Sequence, residues 1–389
     1  MKAKSIFGNS SSQAIAAISQ AIQNGFEPTL AIVFMSIHQD RPALCEFLSA
    51  HNIDVIGATS AGEFVDGQQS DGAIVLLLLN IPRSYYRILF TDTHGQDIAA
   101  AAKAAAATAK GLFNNPAMIL CSTCISTEGH VYDGTVLIHS LQDGLGKSTP
   151  IFGGMAGDDG TMTGTFVFDN KQSTDEGFIM LLLDHDAIEL QGTALSGWKP
   201  LGKIRTVTKA EGQWIHTIDD QPALDMYLRY LGQSLQTNEL ADKDIFRDDI
   251  GLYHPFLSID AGEPSLRTPM EVSQERNAIK LDIGIPEGGQ FQFTLPPDFD
   301  IIETILHNAA ALKENRGADA DALLVFSCFG RRSALGPLVE EENEGLHKIW
   351  KAPMAGFFSY GEYGKDANSD HVFHSTTCSW VALKENIRG

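Results

Sequence analysis

Positive charge, paired cysteines and long apolar runs are all scarce in this chain, and each shortage removes a class of function. Against 49 acidic residues stand only 28 basic ones, a formal net charge of −21. So acidic a surface repels phosphate backbones and anionic lipid, and no basic stripe interleaved with aromatics interrupts it. Neither nucleic acid nor a membrane is therefore an expected partner. The longest apolar run, Ala73 to Pro82, is too short to cross a bilayer. The opening stretch, MKAKSIFGNSSSQ, has neither the apolar core nor the cleavage site of a secretory leader. Five cysteines, odd in number and scattered, suggest no disulfide framework. The expectation from these shortages is a cytoplasmic protein.

What the chain does contain is an ordinary core composition, 43% hydrophobic over 389 residues, enough for two domains or one large one. It also contains a repeat. The stretch VIGATSAGE, Val55 to Glu63, has relatives in PIFGGMAGD, Pro150 to Asp158, and MAGFFSYGE, Met354 to Glu362. Each ends in glycine and an acid: Gly62–Glu63, Gly157–Asp158 and Gly361–Glu362. Upstream of each lies an apolar run ending at Ser36, Ser122 or Ser327, and between run and acid lies a helical pattern. A second helical pattern precedes each unit and a second apolar run follows it. A unit of helix, strand, helix, strand, strand thus recurs at about 13–80, 97–185 and 299–385. The runs are continuously apolar rather than alternating, which marks strands buried on both faces.

The expected fold class is a layered α/β architecture built from these repeated units, with a β-rich central region at about 186–298. In that region GWKPLGKIRTVTKAEGQWIHTID reads as two strands turning near Glu211–Gly212, QPALDMYLRYLGQ as a short helix, and NAIKLDIGIPEGGQFQFTLP as a strand pair turning at PEGG. A domain boundary near 215 gives units 1–215 and 216–389.

Most catalytic motifs fail on spacing. Ser60 sits in G-x-x-S-x-G, one residue off the hydrolase elbow. LQDGLGKST has Leu141 where a phosphate loop needs its first glycine, so a helix C-cap at Gly144 or Gly146 accounts for it better. Cys121 and Cys124 form C-x-x-C without a second pair or a following histidine, which leaves buried thiols. His371 and His374 sit three apart on an expected strand, facing opposite ways. His38 follows the first repeat's strand end, and His254 is held extended by Pro255. Arg331 and Arg332 stand just beyond a buried strand's carboxyl end, where open α/β sheets collect ligands. Their donor forks suit a carboxylate or phosphate, and a salt bridge to an internal acid is the competing reading.

Taken in order, VIGATSAGEF, IFGGMAGDDG, GWKPLGKIRTVTKAEG, DDQPALDMYLRYLG, LLVFSCFGRRSALG and AGFFSYGEYG resemble the FIST family over nearly the whole chain. The resemblance implies an N-terminal FIST domain to about 215, a C-terminal FIST domain after it, and a sensory module of bacterial signal transduction that binds small ligands such as amino acids. A stand-alone branch of similar length, the NosP-type proteins, senses nitric oxide through haem and acts on partner histidine kinases or cyclic-di-GMP enzymes. Where that family commonly has Asn after the histidine of its last segment, this chain has Ser375.

The leading expectation is thus a non-catalytic sensor binding haem b and nitric oxide. It would regulate a histidine kinase, a diguanylate cyclase or a phosphodiesterase, and could form a homodimer. Its axial ligand would come from His38, His254 or His374, with Arg331 or Arg332 on the propionates. The alternative is a haem-free sensor of a small metabolite, with Arg331 on a carboxylate and Thr59, Ser60, Glu63, Asp158, Tyr360 and Glu362 as pocket candidates. In a third reading Glu63, Asp158 and Glu362 converge as acid–base groups of an enzyme.

Overall fold

Strands apolar on both faces must be covered on both sides, and the computed structural model of the chain shows how. It describes residues 1–232, 246–259, 264–298, 300–316, 319–366 and 370–386. Among these, three six-stranded sheets share one plan. The first runs Lys2–Gly8, Ile74–Asn80, Leu30–Met35, Asp54–Thr59. The second runs Tyr86–Asp92, Gly177–Asp184, Pro116–Ser122, Ile151–Met155, and the third Ile188–Leu195, Cys378–Glu385, Ala322–Cys328, Met354–Ser359. In each, the last two of these four strands pair in parallel and the others antiparallel.

The inner faces of all three sheets meet in one core, which joins Ile32 and Leu77 to Ile119 and Leu181 and to Leu324 and Val381. Two helices cover the outside of each sheet. These are Ser11–Gln23 with Arg41–Ala50, Ile98–Leu112 with Gly134–Leu145, and Ile301–Arg316 with Leu338–Trp350. Local chemistry sets the helix starts: the carboxylates of Asp40, Asp97 and Asp133 each accept first-turn N–H groups. The alanine-rich helix lies close against its neighbour, since a Cβ on Gly144 would stand 2.6 Å from that of Ala106. Gly146 caps the second helix of that pair at φ 103°, as the C-cap reading of LQDGLGKST expects.

The repeat has two elements more than the sequence pattern shows. Each unit opens with an extra edge strand and sends out a short hairpin, and the hairpin never joins its own sheet. The first unit's hairpin, Glu63–Val65 with Gln68–Ser70, completes the third sheet. The second unit's, Val167–Phe168 with Ser173–Thr174, completes the first. The third unit's, Glu362–Lys365 with His371–His374, completes the second. At every junction an aromatic of the hairpin faces a glycine: Phe168 opposite Gly57, Phe64 opposite Gly356, Tyr363 opposite Gly153. At Gly57 and Gly356 the ring of Phe168 or Phe64 lies over the space the missing side chain leaves.

Between the last strand of the second unit and the third unit's helices lies a separate β layer. Its strand order is Ser265–Arg267, Phe256–Ser258, Gln290–Leu295, Lys199–Glu211, Trp214–Ile218, Ala278–Leu281, Pro269–Ser273. The turn at Glu211–Gly212 and the helix Ala223–Leu231 are where the sequence places them. The strands flanking PEGG exist but do not pair with each other. Register shifts bend Lys199–Glu211, so its first half takes Gln290–Leu295 as partner, its second half takes Trp214–Ile218, and Ala278–Leu281 lies beyond that. Residue 215 falls inside strand Trp214–Ile218. No helix among the described residues is long and apolar enough to cross a membrane.

Gly356→Ala tests the hairpin junction. Its Cβ would sit 2.0 Å from Phe64 Cε2 and 2.2 Å from the Val325 carbonyl oxygen, so denaturant unfolding should show a loss of about 3 kcal/mol. Gly111→Ala, on a helix with open space around it, should be neutral or add up to about 1 kcal/mol. Equal effects would refute the packing account.

Candidate functional site

The three VIGATSAGE-like turns meet where the three sheets converge. Each pair of turns is joined by two backbone hydrogen bonds. Ala61 N donates to Phe358 O and Phe358 N to Gly62 O; Met155 N to Gly361 O and Tyr360 N to Met155 O; Gly157 N to Thr59 O and Asp159 N to Ser60 O. The small residues of the repeat permit this approach: a Cβ on Gly157 would stand 2.6 Å from Ala61 N.

Two of the three acids act identically. Ser60 Oγ donates to Glu63 Oε1 and Ala73 N to Oε2 at 2.9 Å. Ser359 Oγ donates to Glu362 Oε1 at 2.7 Å and Thr377 N to Oε2 at 3.1 Å. Each carboxyl thereby ties the outgoing hairpin to the strand that returns from it. Both are fully buried, and burial pushes Glu63 up to about 7 and Glu362 well above the usual carboxylate range.

The second copy departs from this plan. Met155 replaces the serine, and Asp158 turns to its own loop: Oδ1 accepts from Met162 N at 2.9 Å and from the Tyr360 hydroxyl, and Oδ2 from Thr163 N at 2.5 Å and Gly164 N at 3.0 Å. The loop so held forms one wall of a cavity of about 410 Å³. Cys124, Cys328, Tyr360, Ser375 and Thr376 supply the floor, at the carboxyl ends of the second and third sheets. The β layer supplies the roof through Gln213, Arg247, Leu252, Thr268, Met270 and the Lys280–Asp282 strand end.

Apolar and charged groups share this lining. Ile125, Met162, Leu252, Met270 and Phe329 line it beside Arg247, Lys280, Glu271 and Asp282. Lys280 and Glu271 face each other at 3.8 Å. Asp282 Oδ1 accepts backbone N–H groups of Thr268 at 2.8 Å and Ile283 at 2.7 Å, and burial pushes its carboxyl up to about 6. Sequence reasoning missed every roof residue, because none belongs to the repeat. A local signal was present in Gly284, two residues after Asp282, whose Cβ would meet the Gly212 carbonyl oxygen at 2.2 Å.

Of the candidates named from sequence, Tyr360 lines the cavity and Asp158 reaches it through that hydroxyl. Thr59, Ser60, Glu63 and Glu362 are buried away from it, with Thr59 Oγ1 accepting from Phe166 N at 2.9 Å. The arginines are placed otherwise than as ligand grips. Arg331 is completely buried, donating to Glu342 at 2.6 Å and to the Ser196 carbonyl. Arg332 pairs with Asp71 at 2.6 Å and lies over Phe358. Both thus serve internal carboxylates, and neither lines the cavity.

The histidines are dispersed. His38 is 78% exposed, with Nε2 3.8 Å from Asp159. His254 faces the Thr294 carbonyl at 3.3 Å, and burial lowers its pKa. His374 faces the Gly364 carbonyl at 3.3 Å through Nε2, and burial pushes it down to about 4. Haem calls for an imidazole aimed into an apolar slot. Among the described residues no histidine lines this cavity and no group of His, Cys, Asp and Glu is arranged for a metal ion. The described lining thus offers a haem iron no imidazole in this cavity. Cys121 and Cys124 are buried thiols pushed up to about 12 by burial.

Residues 29–221 match the FIST N domain and residues 223–365 the FIST C domain. The chain is also 24% identical over 258 residues to the uncharacterized protein MJ1623 of Methanocaldococcus jannaschii. That match takes in 64% of this chain and 47% of the relative, so the chain spans about half the relative's length.

The raised carboxyl of Glu63 makes stability depend on pH in a stated direction. The folded protein holds this proton to about pH 7, whereas the unfolded chain releases it near 4.5. The stabilisation is full below the lower value and is lost as pH rises to the upper one, by up to about 3 kcal/mol. Urea unfolding at pH 5 and pH 8 should show the fall, and Glu63→Gln should reduce it, leaving the share that the raised carboxyls of Glu362 and Asp282 contribute. An unchanged slope in that variant would assign the fall to other groups.

Proposed function

The chain belongs to the FIST family, whose domains are sensory modules of signal transduction, and from that premise we propose that it senses a small zwitterionic metabolite of the amino-acid type. The supporting observation is the cavity between the carboxyl ends of two sheets and the inserted β layer. It is large enough for one small molecule, and its lining sets apolar side chains beside groups of both charges. Asp282 is the anchor for a ligand ammonium, Lys280 and Arg247 stand on the same roof for a carboxylate, and Met270, Leu252 and Phe329 accept an apolar side chain. Loop 158–164 closes one side and reports occupancy to the turns through Asp158 and Tyr360. The module is non-catalytic: the carboxyls of Glu63 and Glu362 are buried and engaged with their own turns. Its output is contact with a histidine kinase or a cyclic-di-GMP enzyme.

A thermal-shift screen of the amino acids tests this reading. A ligand at about 100 times its Kd adds about 2.7 kcal/mol of stability, which raises the Tm by several degrees, and Asp282→Asn should abolish the rise. Affinity should also fall as pH drops below about 6, where Asp282 takes up a proton. If no amino acid shifts the Tm, the metabolite reading fails. The haem and nitric-oxide reading rests on the resemblance to NosP-type proteins and is tested on the same sample. A stoichiometric Soret band with haemin, lost in one of His38→Ala, His254→Ala or His374→Ala, would replace the metabolite reading.

A further inference from the structure

A second concavity, about 690 Å³, lies at the amino ends of the first sheet's parallel strands, on the side away from the ligand cavity. Its walls are the start of strand Asp54–Thr59, Arg83 and Ser84 of the connection between the first and second units, the start of strand Tyr86–Asp92, and the turn Asp169–Lys171 of an exchanged hairpin. Three cations, Arg83, Arg87 and Lys171, stand in it beside two carboxylates, Asp54 and Asp169, so its lining carries an excess of positive charge. Arg83 pairs with Asp54 and the Asn52 carbonyl. Arg87 is held by the carbonyl oxygens of Arg83 at 2.6 Å and Tyr86 at 2.7 Å, and neither it nor exposed Lys171 forms an ion pair with a carboxylate among the described residues.

The walls are rigidly placed. Asn170 accepts from Val55 N at 2.8 Å and donates to the Ile53 carbonyl at 2.9 Å, which pins the turn to the sheet. Asp169 accepts from Lys171 N at 2.7 Å and Gln172 N at 2.8 Å, which fixes the turn itself. The threefold plan supplies a comparison. The connection from the second to the third unit occupies the equivalent place and reads Asp184–His185–Asp186. Arg83 and Arg87 therefore lie on or beside one of two equivalent connections and Lys171 on the hairpin turn facing them, in a molecule of net charge −21. A surface that repels acidic partners elsewhere accepts one here.

One segment of chain links the groove to the ligand cavity at the opposite end of the sheet. One hairpin forms both: Gly160–Thr163 line the cavity, the chain passes through Val167–Phe168 in the first sheet, and Asp169–Lys171 line the groove. Asp158 fixes its root and Phe168 its middle, against Gly57.

We infer that this groove is the output surface of the protein and docks an acidic peptide segment of a signalling partner, with Arg83, Arg87 and Lys171 facing its carboxylates. The signalling meaning rests on the sensory reading above, whereas the docking needs no ligand in the cavity. A fluorescein-labelled oligoglutamate peptide, followed by anisotropy at low salt, is the probe. Saturable binding is expected, weakened by salt and reduced about tenfold or more by Arg87→Glu with Lys171→Glu. Lys103→Glu, on helix Ile98–Leu112 and paired with Asp143, should leave it unchanged. Absence of saturable binding, or equal weakening by Lys103→Glu, would overturn the proposal. So would saturable binding of inorganic pyrophosphate without binding of the peptide, which would assign a small-anion site. Hydrogen exchange reads the coupling: bound peptide should slow amide exchange in residues 159–166. Unchanged exchange there would sever groove from cavity, whatever the thermal-shift screen finds.

Discussion

The structure depends on the exchange of hairpins among its three units. No unit completes its own sheet, because the short strands it sends out pair with another unit's parallel strand. Each junction pairs a buried aromatic residue with a glycine in register, and each turn at the base of a hairpin bonds to the turns of both other units. The consequence is a closed cycle: the first unit supports the third, the third the second, the second the first. Three sheets tied in this way enclose one apolar core, which no single unit could bury alone.

Closure also explains why the site lies where it does. In the first and third copies a serine–glutamate pair closes the strand-end turn. In the second copy methionine stands in place of serine, and the shorter aspartate turns inward to cage its own loop. Residues 159–166 separate this turn from its hairpin, and that loop walls a cavity that the inserted β layer roofs. Beside the first copy, Asp159 accepts from Ser36 Oγ at 2.6 Å, and Arg332 pairs with Asp71. One departure from threefold likeness thus makes the pocket. The acidic and basic connections between units show a second departure at the other end of the sheets.

The buried arginine illustrates how tertiary context redirects a side chain. Arg331 follows a strand's carboxyl end, the place where α/β sheets collect ligands. It enters the short helix Phe329–Leu335, meets Glu342 of the next helix and donates to the Ser196 carbonyl where the β layer begins. A buried cation needs a partner to be tolerated, and an internal carboxylate within reach satisfies that need. Trp198, whose indole N–H donates to the Tyr253 carbonyl at 3.0 Å, reinforces the same corner.

Sequence alone determined the threefold repeat, the burial of its strands on both faces and most of its helices. Those features are local or periodic: apolar runs, capping aspartates and glycines at turn ends each act within a few residues. It also carried the turns that hold the molecule together, since VIGATSAGE and its two relatives are visible without coordinates. Only the tertiary structure decided which sheet each hairpin joins, because strands of two to four residues hold too few positions for pattern to specify a partner. It alone placed Asp282, Lys280 and Met270 opposite Tyr360, since these residues come from a layer outside the repeat. And it alone showed that Arg331 and Glu342 are partners, because the attraction between two buried charges depends on distance and burial, which no spacing along the chain records.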